Sequence, residues 1–146
     1  MTTRVIDDRV AYAGGSPRAS TARRWAARIL MGIPVLFLTF DAVGKLVVAR
    51  PVAAALTELG YPVGVARGLG LVLLASVGFY LWPRTAVLGA VLLTGYLGGA
   101  IAAHVRVGSP VFTHLLFPAY VAVLLWGGLY LRDAALRRVF PLRRDA

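Results

Sequence analysis

Apolar residues in this chain fall into four long runs separated by short polar breaks. The runs are Ile29 to Val48, Val65 to Trp82, Thr85 to Val105 and Val111 to Leu131. A helix needs about 20 apolar residues to cross the hydrocarbon core of a bilayer, so each run predicts one membrane-spanning helix. The breaks carry turn chemistry. Arg50-Pro51 closes the first run, Gly60-Tyr61-Pro62 leads into the second, and Pro83-Arg84 splits the second from the third. Proline stops one helix and opens the next, while arginine marks the headgroup level. Arg106-Val-Gly-Ser-Pro110 separates the third run from the fourth. Pro51 to Gly60 reads as a short surface helix. Four helices with short loops predict an all-α, integral-membrane, antiparallel four-helix bundle.

Composition gives the same solvent. Of 146 residues, 59% are hydrophobic, and the mean hydropathy is +0.75. A soluble domain of this size is roughly 45–50% apolar. The formal net charge of +10 does not indicate nucleic acid, because the basic residues gather at the two ends of the chain. Residues 1–24 read as a poorly ordered basic cytosolic tail, 25–131 as the membrane domain and 132–146 as a basic amphipathic surface tail. The N-terminal stretch has some signal-peptide character, but its charged region is long and Asp41 and Lys45 interrupt the downstream part. With both termini inside, that side holds twelve arginines and the other side holds Lys45, Arg50, Arg67 and Arg106. This asymmetry predicts a multi-pass inner-membrane protein with both termini cytosolic. The absence of cysteine excludes disulfides and thiolate chemistry by this chain.

Placing the polar residues on this topology brings them to one end. Asp41 and Lys45 are i, i+4 on the first helix, in the favourable acid-first order. His104 closes the third helix, His114 opens the fourth, and Arg106 lies in the turn between them. Arg67 opens the second helix, and Tyr96 is at a depth like that of Asp41. Ionisable residues inside a span are costly and usually face the bundle or a watery cavity. Asp41, His104 and His114 are therefore candidate acid–base groups, since histidine titrates near neutral pH. Lys45, Arg67, Tyr96 and Arg106 are candidates for substrate binding. The competing interpretation is structural. Asp41 and Lys45 then form an ion pair that locks helices, Lys45 alone snorkels to the headgroups, and Tyr96 packs. No spacing defines a metal site.

Two further expectations concern packing. Gly95 and Gly99, with Gly98 and Ala102 beside them, predict a close-packed face on the third helix. Trp25, Trp82 and Trp126 read as interfacial anchors. Pro118 leaves the His114 carbonyl without its usual helical partner.

Several ordered segments carry a resemblance: Gly44-Lys45-Leu46, Leu59-Gly60-Tyr61-Pro62, Trp82-Pro83-Arg84-Thr85, Gly95 to Ile101, His104 to Gly108, Leu116-Phe117-Pro118 and Trp126 to Asp133. Together they resemble the DoxX-like family of small four-helix bacterial membrane proteins, over about Leu38 to Arg144. The resemblance implies the same bundle and an association with quinone-dependent or other membrane redox assemblies. In the family, the second helix often carries a glutamate where this chain has Leu73, so chemistry needing that acid is absent here or rests on Asp41. The leading expectation is an oxidoreductase-associated subunit with an outward-facing polar pocket for a quinone-like or other lipophilic molecule. It would hold no cofactor of its own, the quinone being substrate or partner-held. Its partners would be the lipid bilayer and a membrane redox protein. The alternatives are a stand-alone cyclase or isomerase using Asp41 with His104 or His114, and a non-catalytic assembly protein.

Overall fold

The computed structural model describes residues 17–139, and among them every regular element is helical. Helix α1 spans Pro17–Leu46, α2 Arg50–Glu58, α3 Ala66–Leu81, α4 Ala86–Arg106, α5 Leu116–Arg132 and α6 Ala134–Val139. A 3₁₀ turn, Val63–Val65, leads into α3, and a π-turn, Val111–Leu115, leads into α5. Four of these stretches are long and apolar enough to cross a membrane: Thr21–Leu46, Val63–Leu81, Ala86–Arg106 and Val111–Arg132. They match the four apolar runs. The exception at the ends is α1, which starts well before Ile29 and carries Arg23 and Arg24 on helix rather than in a tail. Of the expected tails, 1–24 and 132–146, residues 1–16 and 140–146 lie outside the described residues, and Ala134–Val139 is helical.

The helices form a ring in which α1 touches α3 and α5, and α4 touches α3 and α5. Contacts pair in opposite chain order. Along α1 and α5, Met31 lies against Gly128 while Phe37 meets Phe117 edge-on at 5.1 Å. Along α4 and α5, Trp126 bonds Thr94 while His104 meets His114. The core is a column of Leu38, Leu73, Val77, Tyr80, Leu93, Leu125 and Leu129. The outside is apolar too: Leu36, Phe40 and Phe112 are 74%, 78% and 81% exposed. Such a surface is stable only against lipid.

Hydrocarbon solvates leucine as well as protein does, so helix contacts here depend on fit and hydrogen bonds. The tightest fit is at the α3–α4 hairpin. A Cβ on Gly89 would lie 2.1 Å from the backbone N of Tyr80. Gly128 and Gly70 permit similar approaches, to Met31 on one side and to Ala42 and Lys45 on the other. The buried Tyr80 hydroxyl donates to the Leu125 carbonyl at 2.7 Å. Trp126 Nε1 donates to Thr94 Oγ1 at 2.9 Å.

Two packing expectations are corrected. Gly95, Gly98 and Gly99 have open space around them, with no neighbouring atom within 4 Å of where a Cβ would stand. The GxxxG face of α4 therefore points away from the bundle. Helical twist places Ala86, Gly89, Ala90, Leu93, Leu97 and Ala103 inward instead, and Gly95, Gly98 and Gly99 fall outside that stripe. Trp126 packs on the core and clamps α5 to α4, whereas Trp25 and Trp82 are exposed and keep the anchor role.

These contacts fix the expected effect of two glycine substitutions. Gly89→Ala forces backbone apart and is expected to destabilise the protein by about 1–3 kcal/mol. Gly99→Leu is expected to leave the melting temperature in detergent unchanged. Thermal melts of both variants check this, and a large loss in Gly99→Leu would mean that its face is packed.

Candidate functional site

One end of the bundle gathers the sequence-predicted polar residues; it is called the histidine end here. It is built by the last turns of α1, the α2–α3 loop, the α4–α5 turn and the π-turn. Local sequence explains each piece. Gly108 takes φ +69° in the α4–α5 turn, a conformation that costs glycine nothing. The Ser109 N–H returns to the His104 carbonyl at 3.0 Å and closes that turn. Beyond it, the Pro118 ring cannot fit against the carbonyl four residues back, which belongs to His114. The preceding residues, Val111–Leu115, adopt the wider π spacing, which relieves that crowding.

The two histidines therefore meet. Their ring centroids lie 5.2 Å apart with a 56° tilt. His104 is half-buried and its Nδ1 is 3.0 Å from Ser109 Oγ. His114 is exposed, with its Nδ1 2.7 Å from Thr113 Oγ1. Each hydroxyl engages Nδ1. Ser109 and Thr113 do not stand out in the sequence. Their one available signal is adjacency to the histidines in a polar turn.

Asp41 and Lys45 form a salt bridge one helical turn apart on α1. Their side chains are only 29% and 15% exposed, so both are largely covered by protein. The bridge lies within one helix, so it does not itself tie α1 to a neighbour. Asp41 also lies within electrostatic reach of Tyr96 on α4, a half-buried residue packed against the core. Gly70 permits α3 to approach the backbone of Ala42 and the Cβ of Lys45, so three helices surround the charge pair. Just beyond it, Val48 caps α1 with φ +52°, a conformation rare for a β-branched residue.

Arg106 is engaged by structure. Its Nη2 donates to the Leu59 carbonyl, and its guanidinium lies 5.1 Å from the Tyr61 ring centroid. Gly60, at φ +71°, gives the arginine room. Arg106 thus fastens the α2–α3 loop to the end of α4. Arg67 is exposed at the start of α3. The geometry thus joins the expected residues into an inner group, Asp41–Lys45–Tyr96, and an outer group, His104–His114 with Ser109 and Thr113. Arg106 and Arg67 stand apart from both. Among the described residues, no cluster of three His, Asp or Glu side chains forms a metal-binding group. Chemically, the inner group offers a charge and donors at membrane depth, and the outer group offers two titratable imidazoles near water.

In comparison with known proteins, the model of the DoxX-like family matches residues 29–128. No curated protein and no solved structure matches.

The charge pair makes a separable prediction. Asp41→Asn leaves Lys45 unpaired in a half-buried site and is expected to cost about 1–3 kcal/mol. Adding Lys45→Met removes the orphan charge and is expected to recover at least half of that loss. Thermal melts of the two single variants and the double variant measure the coupling, and additive losses would mean that the two side chains do not interact.

Proposed function

The chain belongs to the DoxX-like family of membrane proteins, and on that premise we propose that its histidine end is a proton-handling site for a quinone-like lipophilic molecule. The observation that carries this reading is the half-buried Asp41–Lys45 salt bridge within the spans, with Tyr96 half-buried on α4. A quinone ring is planar and apolar and carries two carbonyl acceptors. It needs hydrogen-bond donors set in apolar surroundings, and Lys45 Nζ and the Tyr96 hydroxyl are such donors. Reduction to the quinol takes up two electrons and two protons. In this reading a membrane redox partner supplies the electrons. His104 and His114 relay the protons from the aqueous side, since imidazole exchanges protons near neutral pH. Asp41 orients Lys45 through their salt bridge. The chain acts as the membrane subunit of an oxidoreductase assembly.

The structural interpretation of Asp41 is less well supported, because a bridge contained in one helix holds no two helices together. The stand-alone cyclase or isomerase draws on the same residues and needs no partner. We also place the protein in a bacterial inner membrane with both termini cytosolic, following the arginine asymmetry.

Two experiments test these statements. Quinone co-purifying with the protein in mild detergent is quantified by extraction and mass spectrometry. Wild type is expected to retain quinone, and Asp41→Asn/Lys45→Met to lose it while keeping its fold. His104→Gln and His114→Gln are expected to retain quinone but slow its reduction by a reconstituted partner at least ~10-fold. Equal quinone in the wild type and the double variant removes the site from this region, and a co-purifying isoprenoid without a redox-active ring favours the cyclase or isomerase. For orientation, a reporter after Ala146 is expected to give a cytosolic signal and one inserted near Gly108 an external signal; the reverse result inverts the topology.

A further inference from the structure

The opposite end of the bundle holds a second feature that the proposed quinone site does not use. Helix α1 has 30 residues, about 45 Å at 1.5 Å per residue, against a hydrocarbon core of about 30 Å. Its first turns therefore stand at headgroup level. Trp25, 58% exposed, lies there with the Arg28 guanidinium 5.4 Å from its ring centroid, as an interfacial anchor does. Between this part of α1 and the ends of α3 and α5 lies a half-open cleft of about 620 Å³. Ligand-binding clefts span roughly 300–1,000 Å³.

The lining of the cleft divides by chemistry. Arg23, Arg24 and Arg28 from α1 and Arg132 from the end of α5 supply four positive charges, and among the described residues no carboxylate lines it. The neighbouring acid, Asp133, accepts from the Leu136 N–H. Deeper in, Met31, Val35 and Leu81 form an apolar wall. The Asp41–Lys45 salt bridge lies at the far end of the bundle. Four guanidinium groups held together repel one another and favour an anion between them.

We propose that this cleft binds an anionic phospholipid carrying two phosphates, with the phosphates on Arg23, Arg24, Arg28 and Arg132 and the first methylenes of an acyl chain along Met31, Val35 and Leu81. The charge count selects two phosphates over one, because four cations over-compensate a single phosphodiester. The apolar wall selects a lipid over a soluble phosphate, because it continues from the headgroup level down the side of the bundle. Guanidinium groups suit the task, since they bind phosphate oxygens in a bidentate manner.

The test uses full-length protein in mild detergent, titrated with diphosphatidylglycerol, phosphatidylglycerol, phosphatidylcholine or inorganic pyrophosphate. Binding is read by native mass spectrometry and by the shift in melting temperature. Diphosphatidylglycerol is expected to bind and to stabilise, phosphatidylglycerol to do so more weakly, and phosphatidylcholine and pyrophosphate to have no effect. Arg28→Gln and Arg132→Gln are each expected to weaken diphosphatidylglycerol binding about tenfold. Arg84→Gln removes one charge from the hairpin at the same end, outside the cleft, and is expected to leave binding unchanged. Melting in phosphatidylcholine confirms that each variant is folded. Equal losses in all three variants would reduce the effect to diffuse surface charge and overturn the proposal. So would stabilisation by pyrophosphate alone, or equal binding of phosphatidylcholine.

Discussion

Tyr80 is the contact on which the bundle depends. Its backbone lies against Gly89, its ring is wholly buried, and its hydroxyl donates to the Leu125 carbonyl. One residue therefore fixes α3 against both α4 and α5. In water, a hydrophobic core drives such assembly without directional help. In lipid the apolar side chains gain little by leaving the solvent, so a close backbone approach and a buried hydrogen bond count for more. The Leu125 carbonyl has a second lone pair beyond its helical bond, and the tyrosine uses it without breaking the helix. Gly70 and Gly128 set the remaining approaches around the ring, to α1 from each side.

That frame leaves the two ends free to differ. At the histidine end, turns closed by Gly60 and Gly108 bring side chains from separate helices together. The Arg106–Leu59 bond then holds the loop over that end. Below it, Asp41 and Lys45 pair within α1 in a half-buried position. At the opposite end four arginines line the cleft, and among the described residues no carboxylate lines it. An ion pair at one end and a basic cleft at the other support assigning the two ends different ligands.

Much of the architecture was legible in the sequence. Four runs of the right length, each ended by proline, glycine or arginine, specify four spans because the bilayer imposes one length on all of them. The convergence of Asp41, Lys45, His104, His114 and Arg106 on one end was also legible, because the depth of a residue along a spanning helix follows from counting. The acid-first i, i+4 spacing of Asp41 and Lys45 foretold their bridge.

What sits around each helix was not legible. GxxxG on α4 and the glycine at position 89 look alike as letters, yet only Gly89 meets another backbone. In an apolar helix every face is hydrophobic, so the usual amphipathic signal for the inward side is missing. Rotation of the helix was therefore decided by tertiary fit. The same holds for Trp126, which turned inward to bond Thr94, and for Arg106, which the loop fold drew to Leu59. The sequence by itself determined how many times the chain crosses the membrane and how deep each polar group lies. Only the tertiary structure decided which faces meet, because that depends on atomic packing between helices that are apolar on all sides.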